Sequence, residues 1–360
     1  MNENEKPPFP VIKTQGTPFE CGEQYGSQCR EMIGRVIDFY RWIFEVKSKL
    51  SWVQSLSKAA EFVPFLNEYD SAIMERIEGI AQGAHRPAEE ILALNVRTEL
   101  LFLLAAKPGG AMAECTSVAA VPPAAEHSLL AQNWDWYPQV QDCCVILDEA
   151  PQERPKVLQV VEAGIIAKAG CNSAGIGLCT NALVTTGWRV GVPFHAILWR
   201  ILKSATMSEA IGAVISPRRA SAANYLIGHK DGEAVNLEAA PSAFSVIFPD
   251  NGIISHANHC KAGDAGITDL TPALWPDTIM REYRAGKILR QRSGRIDAVS
   301  IQKALRDHFD QPSSVCAHIK PGSPPQEQGQ TNASLIMDLT ARQFLVAKGP
   351  PCEHEYIQVE

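Results

Sequence analysis

Apolar positions in the first third of the chain recur every three or four residues. In CGEQYGSQCREMIGRVIDFYRWIFEVKSKL, the residues Tyr25, Met32, Ile33, Val36, Tyr40, Ile43 and Phe44 fall on one stripe, the spacing of an amphipathic helix. NEYDSAIMERIEGIAQGA repeats the pattern through Ile73, Met74, Ile77 and Ile80, with Gly83 as the expected C-terminal stop. In PAEEILALNVRTELLFLLAA, Pro87 suits a first turn, and Glu89 and Glu90 lie near the positive end of the helix dipole. KPGG then breaks the run, so residues 20–105 read as helices.

From Cys115 the texture changes. TSVAAVP, SLLAQNWDWY, CCVILDEA, KVLQVVEA and GIGLCTNALV are short β-type runs separated by Pro, Gly or charged turns. Helical spacing returns at 193–205 and near 207–215, followed by the strand-like NYLIGH, AVNLEA, AFSVIF and GIISHA. Two helical stretches around 276–307 precede NASLIMDLT and RQFLVAKG. Neither GxGxxG, nor GxxxxGK[ST], nor a repeat period occurs, which disfavours nucleotide-binding folds and solenoids. Helices first, then many strands with interspersed helices, predict an α+β layered protein.

Composition narrows the function more than the fold. The 360 residues are 46% hydrophobic and 20% charged, an ordinary globular balance, and the length suits roughly one to three domains. With 33 basic against 40 acidic residues, the net charge is −7, and the longest basic run is Arg218–Arg219. Nucleic acid and anionic membrane surfaces need clustered cations, so neither is an expected partner. No apolar run reaches the roughly 18–20 residues of a membrane span. MNENEKPPFPV lacks the apolar core of a signal peptide and EYIQVE is no peroxisomal tripeptide, so a cytoplasmic protein is expected. The ten cysteines include no CxxC, and at least nine are expected to be buried structural residues.

The tenth stands on the seam between the two textures. If the bond before Cys115 were cut, one residue would carry both a thiol and a free α-amine. That amine has an ordinary pKa of about 7.7–8.0 and suits the role of general base for its own thiol. Asp135 in AQNWDWY, a hairpin's length further on, is a candidate to hold the amine, though a buried capping role is the plainer alternative. Asn258 in HANHC is a candidate oxyanion donor or simply a strand-end turn residue, and Asn181 in LCTNAL carries the same ambiguity. Trp134 and Trp136 read as core or pocket wall. His256, His259 and Cys260 make a poor zinc signature. A papain-like arrangement of Cys115 with His259 lacks the local sequence that accompanies such cysteines.

The chain also resembles the acyl-coenzyme A:6-aminopenicillanic acid (isopenicillin N) acyltransferases, of the peptidase C45 group of N-terminal nucleophile (Ntn) hydrolases. The resemblance runs nearly end to end, through QGTPFECGEQYGS, IEGIAQGAHRPAEEILALNVRTEL, ECTSVAAV, AQNWDWY, EAGIIAKAGCNSAGIGLCTNAL and SHANHC. It implies a four-layer αββα Ntn-hydrolase sandwich with a helical N-terminal segment, made as a precursor that cuts itself between Glu114 and Cys115. Residues 1–114 and 115–360 would become paired chains of one integrated domain. It further implies Cys115 as nucleophile, Asp135 as holder of the α-amine, and Asn258, with Asn181 nearby, at the oxyanion hole. No metal and no cofactor is called for, though an acyl-CoA is a possible co-substrate.

Departures from the penicillin-forming members shift the expected substrate. Glu114 replaces a glycine before the nucleophile. Gln330 and Thr331 replace a Ser-Arg pair, removing a bidentate anion clamp and leaving Gln330, Thr331 and Trp136 as substrate-side candidates. A serine of those members is replaced around Ala240, in NLEAAPS. The expectation is therefore an amidohydrolase or acyltransferase acting on a small-molecule amide, penicillin-type or N-acyl amine, through a Cys115 acyl-enzyme. The alternatives are an acyl-CoA-dependent N-acyltransferase, a β-alanyl-amine type hydrolase, and an unprocessed, inactive binding protein.

Overall fold

Two sheets stand where the β-type runs were expected, in a computed structural model that describes residues 6–102, 115–262 and 266–359. The strands of the first half are β1 (Val11–Gly16), β2 (Cys115–Ala120), β3 (Leu129–Trp136), β4 (Cys144–Pro151), β5 (Val157–Glu162), β6 (Ala169–Asn172) and β7 (Ile176–Ala182). Those of the second half are β8 (Ala223–His229), β9 (Glu233–Ala239), β10 (Phe244–Ile247), β11 (Ile253–His256), β12 (Gln330–Asp338), β13 (Gln343–Lys348) and β14 (Ile357–Val359). One sheet runs β1-β4-β5-β6-β7-β8-β9-β10 and the other β11-β2-β3-β12-β13-β14. All neighbours are antiparallel except β1 and β4.

The sheets face each other. Gln132 on β3 exchanges two hydrogen bonds with the Thr180 backbone on β7, at 2.7 and 2.8 Å. Ser117 on β2 donates to Asn181 on β7 at 2.7 Å. β2 and β3 are buried at every position, so their polar residues Thr116, Ser117, Gln132, Asn133 and Asp135 lie between the layers and must find partners there.

Helices cover both outer faces. α1 (Pro18–Gln28), α2 (Arg30–Ile43), α3 (Trp52–Ala60), α4 (Val63–Asp70), α5 (Ala72–Ala84), α6 (Ala88–Asn95) and α7 (Arg97–Phe102) precede the seam. α8 (Phe194–Leu202) and α9 (Met207–Ile215) pack on the eight-stranded sheet. α10 (Thr271–Leu274), α11 (Asp277–Arg290) and α12 (Ala298–Leu305) follow, and α11 and α12 cover the six-stranded sheet. There Val118, Leu129, Ala131 and Ile336 meet Leu289, Ile301 and Leu305. The result is the expected αββα sandwich. Its main core is continuous across the seam, joining Tyr25, Ile33 and Ile77 to Val145, Leu178 and Leu226. Among the described residues, no helix is long and apolar enough to cross a membrane.

Three local expectations change. The long first stripe is two helices broken at Cys29. PPFP, given no element in the sequence analysis, leads into β1, whose residues alternate between buried and exposed and pair in parallel with Ile146–Pro151. Gly83 is not a helix stop: α5 continues through Ala84 and ends on His85 in the left-handed conformation, φ 53°. Gly83 is instead a contact. A Cβ there would sit 2.0 Å from the Glu23 carbonyl oxygen, and one on Gly26 of α1 would sit 2.2 Å from the Ile80 oxygen. Paired G-x-x-x-G spacings, Gly22/Gly26 and Gly79/Gly83, thus let two helix backbones touch.

Candidate active site

Antiparallel pairing sets Cys115, the first residue of β2, opposite Trp134 of β3. The hairpin brings Asp135 beside the cysteine. Burial pushes the Cys115 thiol up to about 12, and the Asp135 carboxylate pushes the same way, against a hydrogen bond from the Asp135 backbone and the charges of Lys168 and Arg281. The thiol is therefore held neutral. On the other side of Asp135, β12 places Thr331 directly across, and its hydroxyl donates to Asp135 Oδ1 at 2.6 Å.

Asn258 follows β11, the neighbour of β2 on its other edge. Its Oδ1 accepts from the Cys115 backbone N–H at 2.7 Å and from Arg281 Nη2 at 3.0 Å, while its Nδ2 donates to Ala182 O at 3.0 Å. Two donors on one oxygen settle which way this amide points. Arg281, buried in the first turns of α11, also donates from Nη1 to the Cys115 carbonyl at 2.9 Å and is itself held by Asp277 at 2.8 Å. Thr278 accepts the Asn258 backbone N–H at 2.7 Å. The N-terminal part of α11 thus grips the start of β2 and the Asn258 turn together.

The Cys115 side chain opens into a cleft walled by Trp134, Trp136, Phe102 and Phe194 and floored by Arg97 and Lys168. Arg97 Nη2 and Lys168 Nζ both donate to Glu162 Oε2, at 2.5 and 2.8 Å. Tyr40 donates to Glu162 Oε1 at 2.6 Å and accepts from Trp136 Nε1 at 2.9 Å. Lys168 Nζ lies 3.1 Å from the centre of the Trp134 ring. Burial lowers the Lys168 ammonium to about 8, with Glu162 opposing that shift. Arg97 and Lys168 thus share the Glu162 carboxylate, and Glu99 lies within electrostatic reach of Arg97.

The sequence-derived candidates therefore divide. Cys115, Asp135, Asn258 and Thr331 converge, and Trp136 lines the cleft. Asn181 is a buried neighbour that accepts from Ser117 at 2.7 Å and Asn224 at 2.9 Å. Gln330 turns to Gln141, 3.2 Å away. His256 is taken up by Glu238 at 2.8 Å, and His259 faces Thr278 at 3.1 Å. Sequence reasoning missed Arg281, Arg97, Lys168 and Glu162. The available signals were weak: an Asp277/Arg281 pair one helical turn apart, and charges interrupting apolar runs. A group of side chains able to hold a metal lies elsewhere, around Cys316.

Comparison with known proteins agrees with the resemblance. Residues 124–341 match the family described as acyl-coenzyme A:6-aminopenicillanic acid acyl-transferase. The acyl-coenzyme A:6-aminopenicillanic-acid-acyltransferase 40 kDa form of Emericella nidulans is 31% identical over 344 residues, covering 94% of this chain and 92% of that protein. Among solved structures, a mutant conjugated bile acid hydrolase from Clostridium perfringens aligns over 64% of this chain and 89% of its own. The TM-score is 0.44 and the identity 12%. Penicillin V acylase from Agrobacterium tumefaciens aligns over 67% and 78%, with TM-score 0.35 and 12% identity. The chain belongs to the acyl-coenzyme A:6-aminopenicillanic acid acyltransferase family, a family of enzymes.

Proposed function

We propose that this enzyme cuts itself between Glu114 and Cys115 and then uses Cys115 as an N-terminal nucleophile on small-molecule amides. Glu114 lies outside the described residues. The observation that carries the reading is the treatment of the Cys115 nitrogen. It sits at the first position of a buried strand, yet its N–H is received by a side chain, Asn258, with Asp135 close by. An amide N–H needs one acceptor; a terminal amine has more hydrogens to place, and this surrounding can receive them.

In the precursor, the Cys115 sulfur attacks the carbonyl carbon of residue 114, and the C–N bond breaks as the acyl group moves to sulfur. Water then hydrolyses the thioester, freeing thiol and α-amine. In the mature form the amine takes the thiol proton as the sulfur attacks the substrate carbonyl. The same proton goes to the leaving amine, and an acyl-enzyme remains for water or an acceptor amine to resolve. Arg281 fixes the Cys115 carbonyl so that the short N-terminal residue keeps its direction. The Asn258 amide has two hydrogens; one goes to Ala182 O, and the other is the donor assigned here to the oxyanion.

Hydrolysis is favoured over coenzyme A-dependent transfer because Thr331, a partner of Asp135, replaces the arginine of the penicillin-forming members. Aromatic walls over a floor bearing Arg97 and Lys168 suit a substrate with an apolar group and a carboxylate. The deciding experiment is intact mass of the wild type beside Cys115→Ala. Fragments matching 1–114 and 115–360, with the variant whole at 39.3 kDa, are expected. An intact wild type would leave Cys115 without a free amine and defeat the mechanism. Turnover of amides with and without an acyl-CoA then separates hydrolase from transferase.

A further inference from the structure

Outside the cleft, four soft donors meet. His308, Cys316 and His318 lie on the connection between α12 and β12, and Cys352 lies on the turn between β13 and β14. Their ligand atoms all fall within 4.8 Å of one another. His308 Nε2 and His318 Nε2 are 3.1 Å apart, and the two sulfurs 3.5 Å. Cys316 Sγ and Cys352 Sγ approach His318 Nε2 at 3.6 and 3.3 Å.

Hydrogen bonding does not account for this crowding. His318 Nε2 has either one hydrogen or one lone pair, yet three polar atoms converge on it. A cation at their centre would use all four. Zinc with Zn–S of about 2.3 Å and Zn–N of about 2.0–2.1 Å places tetrahedral ligands about 3.8 Å apart for S–S, about 3.4 Å for N–N and about 3.5 Å for S–N. The four spacings above each fall within about 0.3 Å of these values. Glu353 Oε1 also stands 3.5 Å from His318 Nδ1, the carboxylate on the far ring nitrogen that orients a metal-bound histidine.

We propose that His308, Cys316, His318 and Cys352 form a structural zinc site. On binding, the two thiols release their protons to solvent and the imidazoles bind through neutral Nε2, giving a neutral complex. The spacing H-x7-C-x-H-x33-C matches no common finger pattern, because the fourth ligand arrives from a different turn of the fold. The site also touches the machinery indirectly. Ala317, between two of the ligands, donates its N–H to Thr331 Oγ1 at 3.1 Å and accepts the Thr331 N–H at 3.1 Å. Thr331 is the residue that holds Asp135. Zinc would clip the Cys352 turn onto the segment that positions Asp135.

The test is metal content of the full chain, produced with added zinc and desalted, compared with Cys352→Ser, an exposed position whose change leaves the core intact. The expected result is about one zinc per chain in the wild type and its near-complete loss in the variant. The Cys115→Ala protein should retain the metal, which separates this site from the nucleophile and makes the test independent of the proposed reaction. Cobalt substitution should give a thiolate-to-metal absorption band in the near ultraviolet, absent from Cys352→Ser. The proposal falls if wild type and Cys352→Ser carry the same metal, or if cobalt shows no thiolate band. It also falls if peptide mapping finds Cys316 and Cys352 joined as a disulfide.

Discussion

Replacing Glu162 with glutamine tests the charged floor of the cleft directly. Glu162 is fully buried and accepts from Arg97, Lys168 and Tyr40. Burial alone would raise its carboxyl, but the Arg97 and Lys168 charges, with hydrogen bonds from Lys168 and Tyr40, outweigh burial and bring it to about 2. At about 1.4 kcal/mol per pH unit, the displacement from 4.5 to about 2 is worth about 3 kcal/mol. Breaking a buried ion pair by removing one partner costs about 3–5 kcal/mol in general, the same range. Glutamine keeps the shape and one acceptor but leaves two buried cations without the carboxylate they share. Both proteins should carry Cys115→Ala, so that each is a single uncut chain. Urea denaturation at pH 7 should then show the Glu162→Gln protein less stable by about 3 kcal/mol, with an unchanged slope. At about 2.1 cal/mol/K of unfolding entropy per residue, the melting temperature should drop by about 4 °C. A second arm uses pH. Because the folded-state value lies below the ordinary one, the Glu162 contribution is whole above about pH 4.5 and is lost as pH falls toward about 2. The stability difference between the two proteins should shrink across that window. A variant within about 1 kcal/mol of its parent, or a difference that stays constant from about pH 5 to about 2.5, would refute the reasoning.

Other expectations follow from single contacts. Gly83→Ala forces a Cβ against the Glu23 carbonyl and should cost about 1–3 kcal/mol or more in thermal denaturation. Gly212→Ala, in α9 with its nearest neighbour 4.0 Å away, should stabilise by about 0.5–1 kcal/mol. The same sign for both would contradict the helix-contact reading. Thr331→Val removes the hydroxyl between Asp135 and Ala317 and should cost about 1–3 kcal/mol while slowing appearance of the cleaved chains. Unchanged stability and processing would remove Thr331 from the site. Lys168 loses its charge as pH rises through about 8, so KM for a carboxylate-bearing amide should climb there while KM for a neutral analogue stays level. Parallel curves for the two amides would argue against Lys168 as a recognition element.

What could be read from the chain follows from the range of the forces involved. Helical stripes and β-type runs report local burial, so α2, α5, β2, β3 and β7 appear near their expected places. β1 was hidden because the prolines just before it (Pro7, Pro8 and Pro10) read as punctuation, and its partner β4 lies more than a hundred residues away. β6, only four residues with a central glycine, has too few positions to show a period. Cys115 and Asp135 were legible because one hairpin joins them. Glu162, Arg97 and Lys168 were not, because a charge in a sequence reads as solvated until a second charge from a distant segment is seen beside it. Arg97 and Glu162 are 65 positions apart. The His308–Cys352 group escaped for the same reason: each ligand is ordinary where it stands.

β1 lies before the seam and β4 after it, yet they share a ladder at the edge of the eight-stranded sheet. Scission before Cys115 would leave that ladder and the joint core in place while changing the molecularity of folding. The precursor finds its partner segment at no dependence on concentration, whereas denatured mature chains would have to meet by diffusion. Dilution would then lower the apparent melting temperature of the cut enzyme but not of the Cys115→Ala chain. Synthesis as one polypeptide would thus be a folding template used once, with the finished enzyme held together by the shared core and the β1–β4 ladder rather than by a chain.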